Sequence, residues 1–149
     1  MADWSELERA DPALAAKGRL RLHGRPSYLA TLRADGSPRV HPVTPIVAAG
    51  TLYVFMEPTS PKGKDLRRDS RYALHCGVED VNGGEGEFLV RGRAEFVIDA
   101  AVRDEACAAS PYAPADRYIL FRLGLDQAEL RAYADGTPVV SRWRASVTA

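Results

Sequence analysis

The sequence predicts a mainly β fold with flanking helices: an antiparallel barrel, closed or nearly closed, in a single domain spanning residues 1–149. Two features carry that reading. From residue 27 onward, apolar and β-branched runs recur at regular spacing between turns rich in Gly, Pro and Asp, as in antiparallel strands. Helical patterning is confined to the N-terminus and to inserts between strands. The chain shows no repeat, linker or low-complexity tract, and its length suffices for one real core.

The N-terminal segment, residues 1–24, reads as helical from Asp3 to about His23. Pro12 opens a second helix there, and Leu14, Gly18 and Arg21 or Leu22 share one face. Gly24-Arg25-Pro26 breaks it. A strand follows from Tyr28 to Arg33, and Ala34-Asp35-Gly36-Ser37 turns the chain with glycine where positive φ is needed. The return strand, Arg39 to Val47, carries Pro42 and Pro45, which cannot donate to a ladder. It must be an edge strand or be broken by bulges. Leu52 to Met56 forms the third strand, Ser60 to about Arg68 a helix, and Arg71 to Val78 the fourth strand, with Tyr72, Leu74 and Cys76 on one face. Asp80 to Gly86 is a glycine-rich loop. Glu87 to Ile98 is a long strand in which Gly92 marks a bulge or a close backbone approach. Asp99 caps a helix to about Ala108, and Ser110 to Asp116 is a loop. Strands over 118–123, 129–133 and 139–144 complete the chain, the last two joined at Asp135-Gly136. Leu29, Leu32, Leu74, Phe88, Val90, Phe96 and Leu123 are the core candidates.

Twenty basic and twenty acidic residues cancel, so no global field draws the chain to nucleic acid or an anionic membrane. No apolar run approaches the ~18 residues of a membrane span, and the N-terminus lacks a signal-peptide pattern. A cytoplasmic location is expected. Cys76 and Cys107 fall in different elements without a CxxC or a nearby histidine pair. They read as buried free thiols, with no disulfide and no metal site.

The chemistry concentrates in Ser60-Pro61-Lys62-Gly63-Lys64-Asp65-Leu66, directly after the third strand. Ser60 suits an N-cap and Pro61 the first helical position. Lys62 and Lys64 are two of only three lysines in the chain, and both fall in the first helical turn. Like charge at the positive end of a helix dipole opposes the helix, so free N–H groups and two ammonium groups would converge on a phosphate or other anion. The competing reading is two solvated lysines on a surface turn.

Taken in order, "YLATLRADGSPRVHPVTP", "LYVFMEP", "TSPKGKDLRRDSRYAL" and "VRGRAEF" resemble the pyridoxamine 5′-phosphate oxidase-like flavin-binding split-barrel family, over about Ser27 to Trp143. The resemblance implies a six-stranded antiparallel Greek-key split barrel. It also implies a homodimer with the cofactor at the subunit interface, FMN or, in one branch, the deazaflavin F420. FMN is preferred, because the phosphate motif is compact and a polyanionic tail would favour a broader basic groove. Ser60 and Lys62 match phosphate-holding positions, with Thr59 beside them and Lys64 as a third contact. Met56 and Glu57 fall where the third strand passes the flavin. The run from Val40 through His41 and Val43 to Thr44 would pass the ring edge, and Trp143 or Arg144 could reach the partner's flavin. Vitamin-metabolising members place arginine where this chain has His41, with Arg39 two residues away on the same strand face. The C-terminal Arg-x-x-x-Arg-Leu-x-Pro ending is also missing, which argues against pyridoxamine phosphate as substrate.

A flavin supplies the redox chemistry itself, so no nucleophile or acid–base pair is required of the protein. No Gly-x-Ser-x-Gly, HExxH or P-loop occurs. His41 either lines the pocket or stands aside, His75 reads as structural, and Tyr112 either closes over substrate or is a surface aromatic. Arg91, Arg93 and Glu95 read as a charge row. The expected function is a flavin-dependent oxidoreductase exchanging hydride with a small organic molecule. Two alternatives stand beside it: an F420-dependent reductase of the same fold, and a non-enzymatic carrier or sensor of flavin or haem.

Overall fold

A computed structural model describes residues 1–146. Two N-terminal helices, α1 (Trp4–Ala10) and α2 (Pro12–Leu22), precede a hairpin of β1 (Ser27–Leu32) and β2 (Pro38–Val43). Then come β3 (Ile46–Ala48), β4 (Thr51–Met56), α3 (Pro61–Arg68), β5 (Arg71–Cys76) and β6 (Glu87–Val97). Helix α4 (Ala100–Ala109), β7 (Ile119–Leu123), β8 (Gln127–Ala134) and β9 (Thr137–Arg144) complete the fold. Among the described residues no helix is long and apolar enough to cross a membrane.

All strands pair antiparallel in one curled sheet of order β2-β1-β5-β6-β7-β4-β3, with β8 and β9 attached beside β6. The sheet therefore has nine strands, against the eight read along the chain and the six that the resemblance implies. One cause is Thr44-Pro45, which breaks the anticipated return strand into β2 and β3. These two stand at opposite ends of the sheet path although only that dipeptide separates them. The sheet must curl to bring its two edges to one corner, as a split barrel does. Pro42 lies on β2, which pairs only with β1, so its missing N–H leaves no ladder bond unmade. The other cause is the β8–β9 hairpin, turned by Asp135 and Gly136, both at positive φ.

Strand β6 is long because it serves two neighbours on one edge. Residues 87–91 pair with β8, and residues 94–97 pair with β7. Gly92 sits at the changeover, where a Cβ would collide with the Gly124 carbonyl. The expected close approach is thus real, and Tyr72 donates its hydroxyl proton to the same carbonyl at 2.8 Å.

From Leu52 to Met56 strand β4 is buried, because both its faces are covered. Leu52, Val54 and Met56 enter the main core with Leu29, Leu74, Phe88 and Leu123. Tyr53 and Phe55 turn the other way, into a second core closed by Ala106 of α4. Helices α1 and α2 cap the main core through Trp4, Leu7, Leu14 and Leu22. Trp4 meets Phe88 edge-to-face at 6.1 Å, an arrangement worth about 0.5–1.5 kcal/mol beyond area burial. Two core expectations need correction. Leu32 is half-buried and Phe96 is 37% exposed, because Phe96 turns outward beneath the Arg67 guanidinium, 3.9 Å from its ring. Cys76 is buried and Cys107 half-buried, both as free thiols.

Candidate functional site

The chain leaves β4 at Met56, turns through Glu57–Ser60 with the Ser60 N–H on the Glu57 carbonyl (3.0 Å), and enters α3. Pro61 occupies the first helical position as expected. Ser60 stands at the N-cap but its side chain does not cap the helix; instead its Oγ accepts a hydrogen bond from Lys62 Nζ at 3.0 Å. Ser60 is buried and Lys62 half-buried, and burial pushes the Lys62 ammonium below its ordinary pKa. Among the described residues no carboxylate pairs with it. A partly desolvated cation whose sole partner is a hydroxyl, beside a helix N-terminus, is a donor set that fits a phosphate.

Lys64 does not join it. Positions two apart on an α-helix differ by about 200° around the axis, so the two ammonium groups leave α3 on different sides. Lys64 is exposed and lines an open groove of about 510 Å³ with Arg33, Asp35, Arg39, Asp65 and Arg68. The floor of this groove is Asp65, only 3% exposed. Its carboxylate accepts from Thr31 Oγ1 (2.7 Å), Arg39 Nε (2.7 Å) and a terminal nitrogen of Arg68 (2.9 Å). Burial pushes the Asp65 carboxyl up, but the bonds from Arg39, Thr31 and Arg68 outweigh it and hold it below the usual range.

The other anticipated residues divide. In the β1–β2 register, Arg39, His41 and Val43 lie opposite Thr31, Leu29 and Ser27, all three buried, so they face the barrel interior. His41 is half-buried, Val43 buried, and Thr44 half-buried at the corner. Met56 is buried beneath Gly63, where an added Cβ would come within 3.1 Å of its Sδ. Thr59 is exposed. Glu57 is engaged by Arg117, whose Nε lies 2.9 Å from Oε2, and that bond lowers its pKa. Trp143 lies on β9, across β5, β6 and β8 from β1, and packs against the main core. Within one chain it does not meet Ser60 or Lys62.

The remaining histidines have structural partners. His23 Nδ1 accepts from the Val47 N–H at 3.0 Å, and burial with nearby Arg19 lowers its pKa. His75 faces outward beside Tyr28, its Nδ1 2.7 Å from the Cys76 carbonyl. Asp65, Arg33, Arg68 and Arg117 escaped the sequence reading. For Asp65 the one available signal was an acid set among Lys64, Arg67 and Arg68 on a short helix, a position that asks for a buried partner.

A curled antiparallel sheet of this topology, with a helix entered directly after its fourth strand, defines a split-barrel protein. The family model described as pyridoxamine 5′-phosphate oxidase matches residues 18–124, and the chain belongs to that family. No match emerges among curated proteins. Among solved structures, the fold is similar to a haem-binding protein from Mycobacterium smegmatis (TM-score 0.66, 18% identity), covering 87% of this chain and 58% of that one. This chain thus spans little more than half the length of that relative. It is also similar to General Stress Protein 26 from Bacillus anthracis (TM-score 0.60, 18% identity, 86% and 97% covered). A third likeness is to an F420 reductase (TM-score 0.57, 20% identity, 73% and 92% covered). At these identities the likeness is one of fold.

Proposed function

We propose that this chain is an oxidoreductase that holds a phosphorylated flavin over the start of α3 and exchanges hydride between it and a small organic molecule. The observation that carries this is Lys62, a half-buried ammonium whose only partner among the described residues is Ser60 Oγ. The bound flavin supplies the electron chemistry through its ring. The chain's own part is to bind and orient. Ser60 and Lys62 hold the phosphate, and burial of Lys62 strengthens each of its bonds to an anion. His41, Val43 and Thr44 would border the ring, and at the bend only Thr44 has backbone groups to offer its polar rim, because Pro45 has no N–H and its carbonyl accepts from the Gly24 N–H at 2.8 Å.

Cofactor at a subunit interface requires a second copy. The outer face of the β1–β2 hairpin offers a surface for one: Tyr28 is 50% and Val40 62% exposed, and both point away from the core. Trp143 could then reach the site from the partner.

The groove beside Lys64 favours a second cofactor reading. Four basic residues (Arg33, Arg39, Lys64, Arg68) face two acidic ones (Asp35, Asp65) there, leaving an excess of two positive charges. A broad basic groove of this kind suits the polyanionic tail of F420 better than FMN alone would require. The phosphate site is tested by comparing FMN with riboflavin, which lacks the phosphate. FMN should bind at least on the order of tenfold more tightly, as expected for a charge-assisted contact. Equal affinity would remove Lys62 from the proposal.

A further inference from the structure

A large cleft lies away from α3. An open cleft of about 860 Å³ runs between α1, α2, β3 with its turn into β4, and the C-terminal end of α4. That is within the range of small-molecule sites, roughly 300–1,000 Å³. Its walls are tied together: the Ser5 N–H bonds the Gly50 carbonyl at 2.9 Å, and a terminal nitrogen of Arg19 bonds the Val47 carbonyl at 2.8 Å. Trp4 and Val47 line it, and two of the three helices facing the cleft present alanines, Ala15 and Ala16 from α2 and Ala108 and Ala109 from α4. Ala49, on the rim, holds φ +46°, a left-handed conformation that disfavours a Cβ-bearing residue.

The charged residues of the lining are two acids and one base. Glu8 from α1 and Glu105 from α4 both line the cleft, and neither has an ion pair or hydrogen bond among the described residues. The last turn of α4 also ends here and contains no basic residue, so the negative end of its dipole is uncompensated. Against these stands Arg19, which is held by the Val47 carbonyl. We propose that this cleft is a second ligand site, separate from the cofactor, for a small amphiphilic cation: an organic ammonium with an apolar body of a few carbons. The body would lie on Trp4 and the alanines, and the ammonium would sit between Glu8, Glu105 and the end of α4.

The test is calorimetric titration of the full chain with n-hexylammonium, and with hexanoate as the matched anion. Saturable binding of hexylammonium at one per chain is expected, with hexanoate weaker by on the order of tenfold or more. The pair Glu8→Gln and Glu105→Gln should weaken hexylammonium by a similar factor. Ala16→Phe, an exposed helix position, should abolish binding while circular dichroism and melting stay near the parent's. Lys62→Ala should leave hexylammonium binding unchanged, which separates this site from the proposed flavin site. No saturation through the millimolar range, or equal binding of hexanoate, would overturn the proposal. So would a change of oligomeric state in Ala16→Phe, because the cleft would then be an interface between chains.

Discussion

Arg39 Nε donates to Asp65 Oδ2 at 2.7 Å, and that bond ties the edge strand β2 to helix α3. The same carboxylate takes the Thr31 hydroxyl of β1 and the guanidinium of Arg68 one turn along α3. One buried acid thus fixes the helix that carries Ser60 and Lys62 against the hairpin that carries His41. It also determines which cations remain available for an anion. Arg39 is engaged by Asp65, whereas among the described residues Lys62 meets only a hydroxyl.

Removing that acid should therefore weaken the fold. Asp65→Ala leaves the Thr31 hydroxyl buried without a partner and two guanidinium groups without a counter-charge. Because Arg39 and Arg68 are partly exposed, the expected loss is about 2–3 kcal/mol, below the full penalty of breaking a buried pair. Urea unfolding measures it. A loss within a few tenths of a kcal/mol would mean the network is solvated.

Acid should act on the same group. Asp65 sits below its ordinary pKa in the folded chain, and Asp69 is pushed down to about 2, first by its hydrogen bond from Arg71. A carboxylate depressed in the folded state contributes stability above its unfolded pKa of ~3.9, and that contribution fades as pH falls through the folded value. Stability should accordingly drop between about pH 4 and about pH 2. Asp65→Asn, already weaker at neutral pH, should lose less over that window. Parallel pH curves for the two proteins would contradict this.

Much of the fold was legible in the sequence, for local reasons. The turn at Asp35-Gly36, the proline opening α2 and the apolar run of β4 each act within a few residues. The split of the return strand was half legible: two prolines demanded an edge or a break, and the chain has both, Pro42 on the edge and Pro45 at the corner. The site was less legible. Two lysines two residues apart suggest convergence in a linear reading, but helical phase sends them to different sides of α3. Asp65 and Arg117 acquire their roles from partners 26 and 60 residues away, which no local pattern records. Arg21 is similar. Its place on the α2 face with Leu14 and Gly18 was visible, but its buried bond to the Gly77 carbonyl at 2.6 Å was not.

The changeover in β6 predicts a contrast between two glycines. Gly92→Ala puts a methyl into the Gly124 backbone and should cost at least about 2 kcal/mol, or prevent folding. Gly36→Ala meets nothing within 4 Å and pays only for its φ of +84°, about 1–2 kcal/mol. Equal effects in urea unfolding would show that Gly92 is not held by that close approach.

If two copies pair through the hairpin face, Val40→Glu should yield monomers by light scattering and weaken cofactor binding with them. A parent chain that is monomeric yet binds one cofactor stoichiometrically would contradict an interfacial site.

The most direct measurement is a visible-absorbance titration of the parent chain and of Lys62→Ala with FMN and, in parallel, with F420. Saturation of the parent at one cofactor per chain is expected, with Lys62→Ala weakened by about 1.5–3 kcal/mol and Lys64→Ala affected less with FMN. Preference for F420, with Lys64→Ala then costing as much as Lys62→Ala, would place the cofactor's tail in the groove. Binding of neither cofactor, or full affinity in Lys62→Ala, would contradict the proposed site.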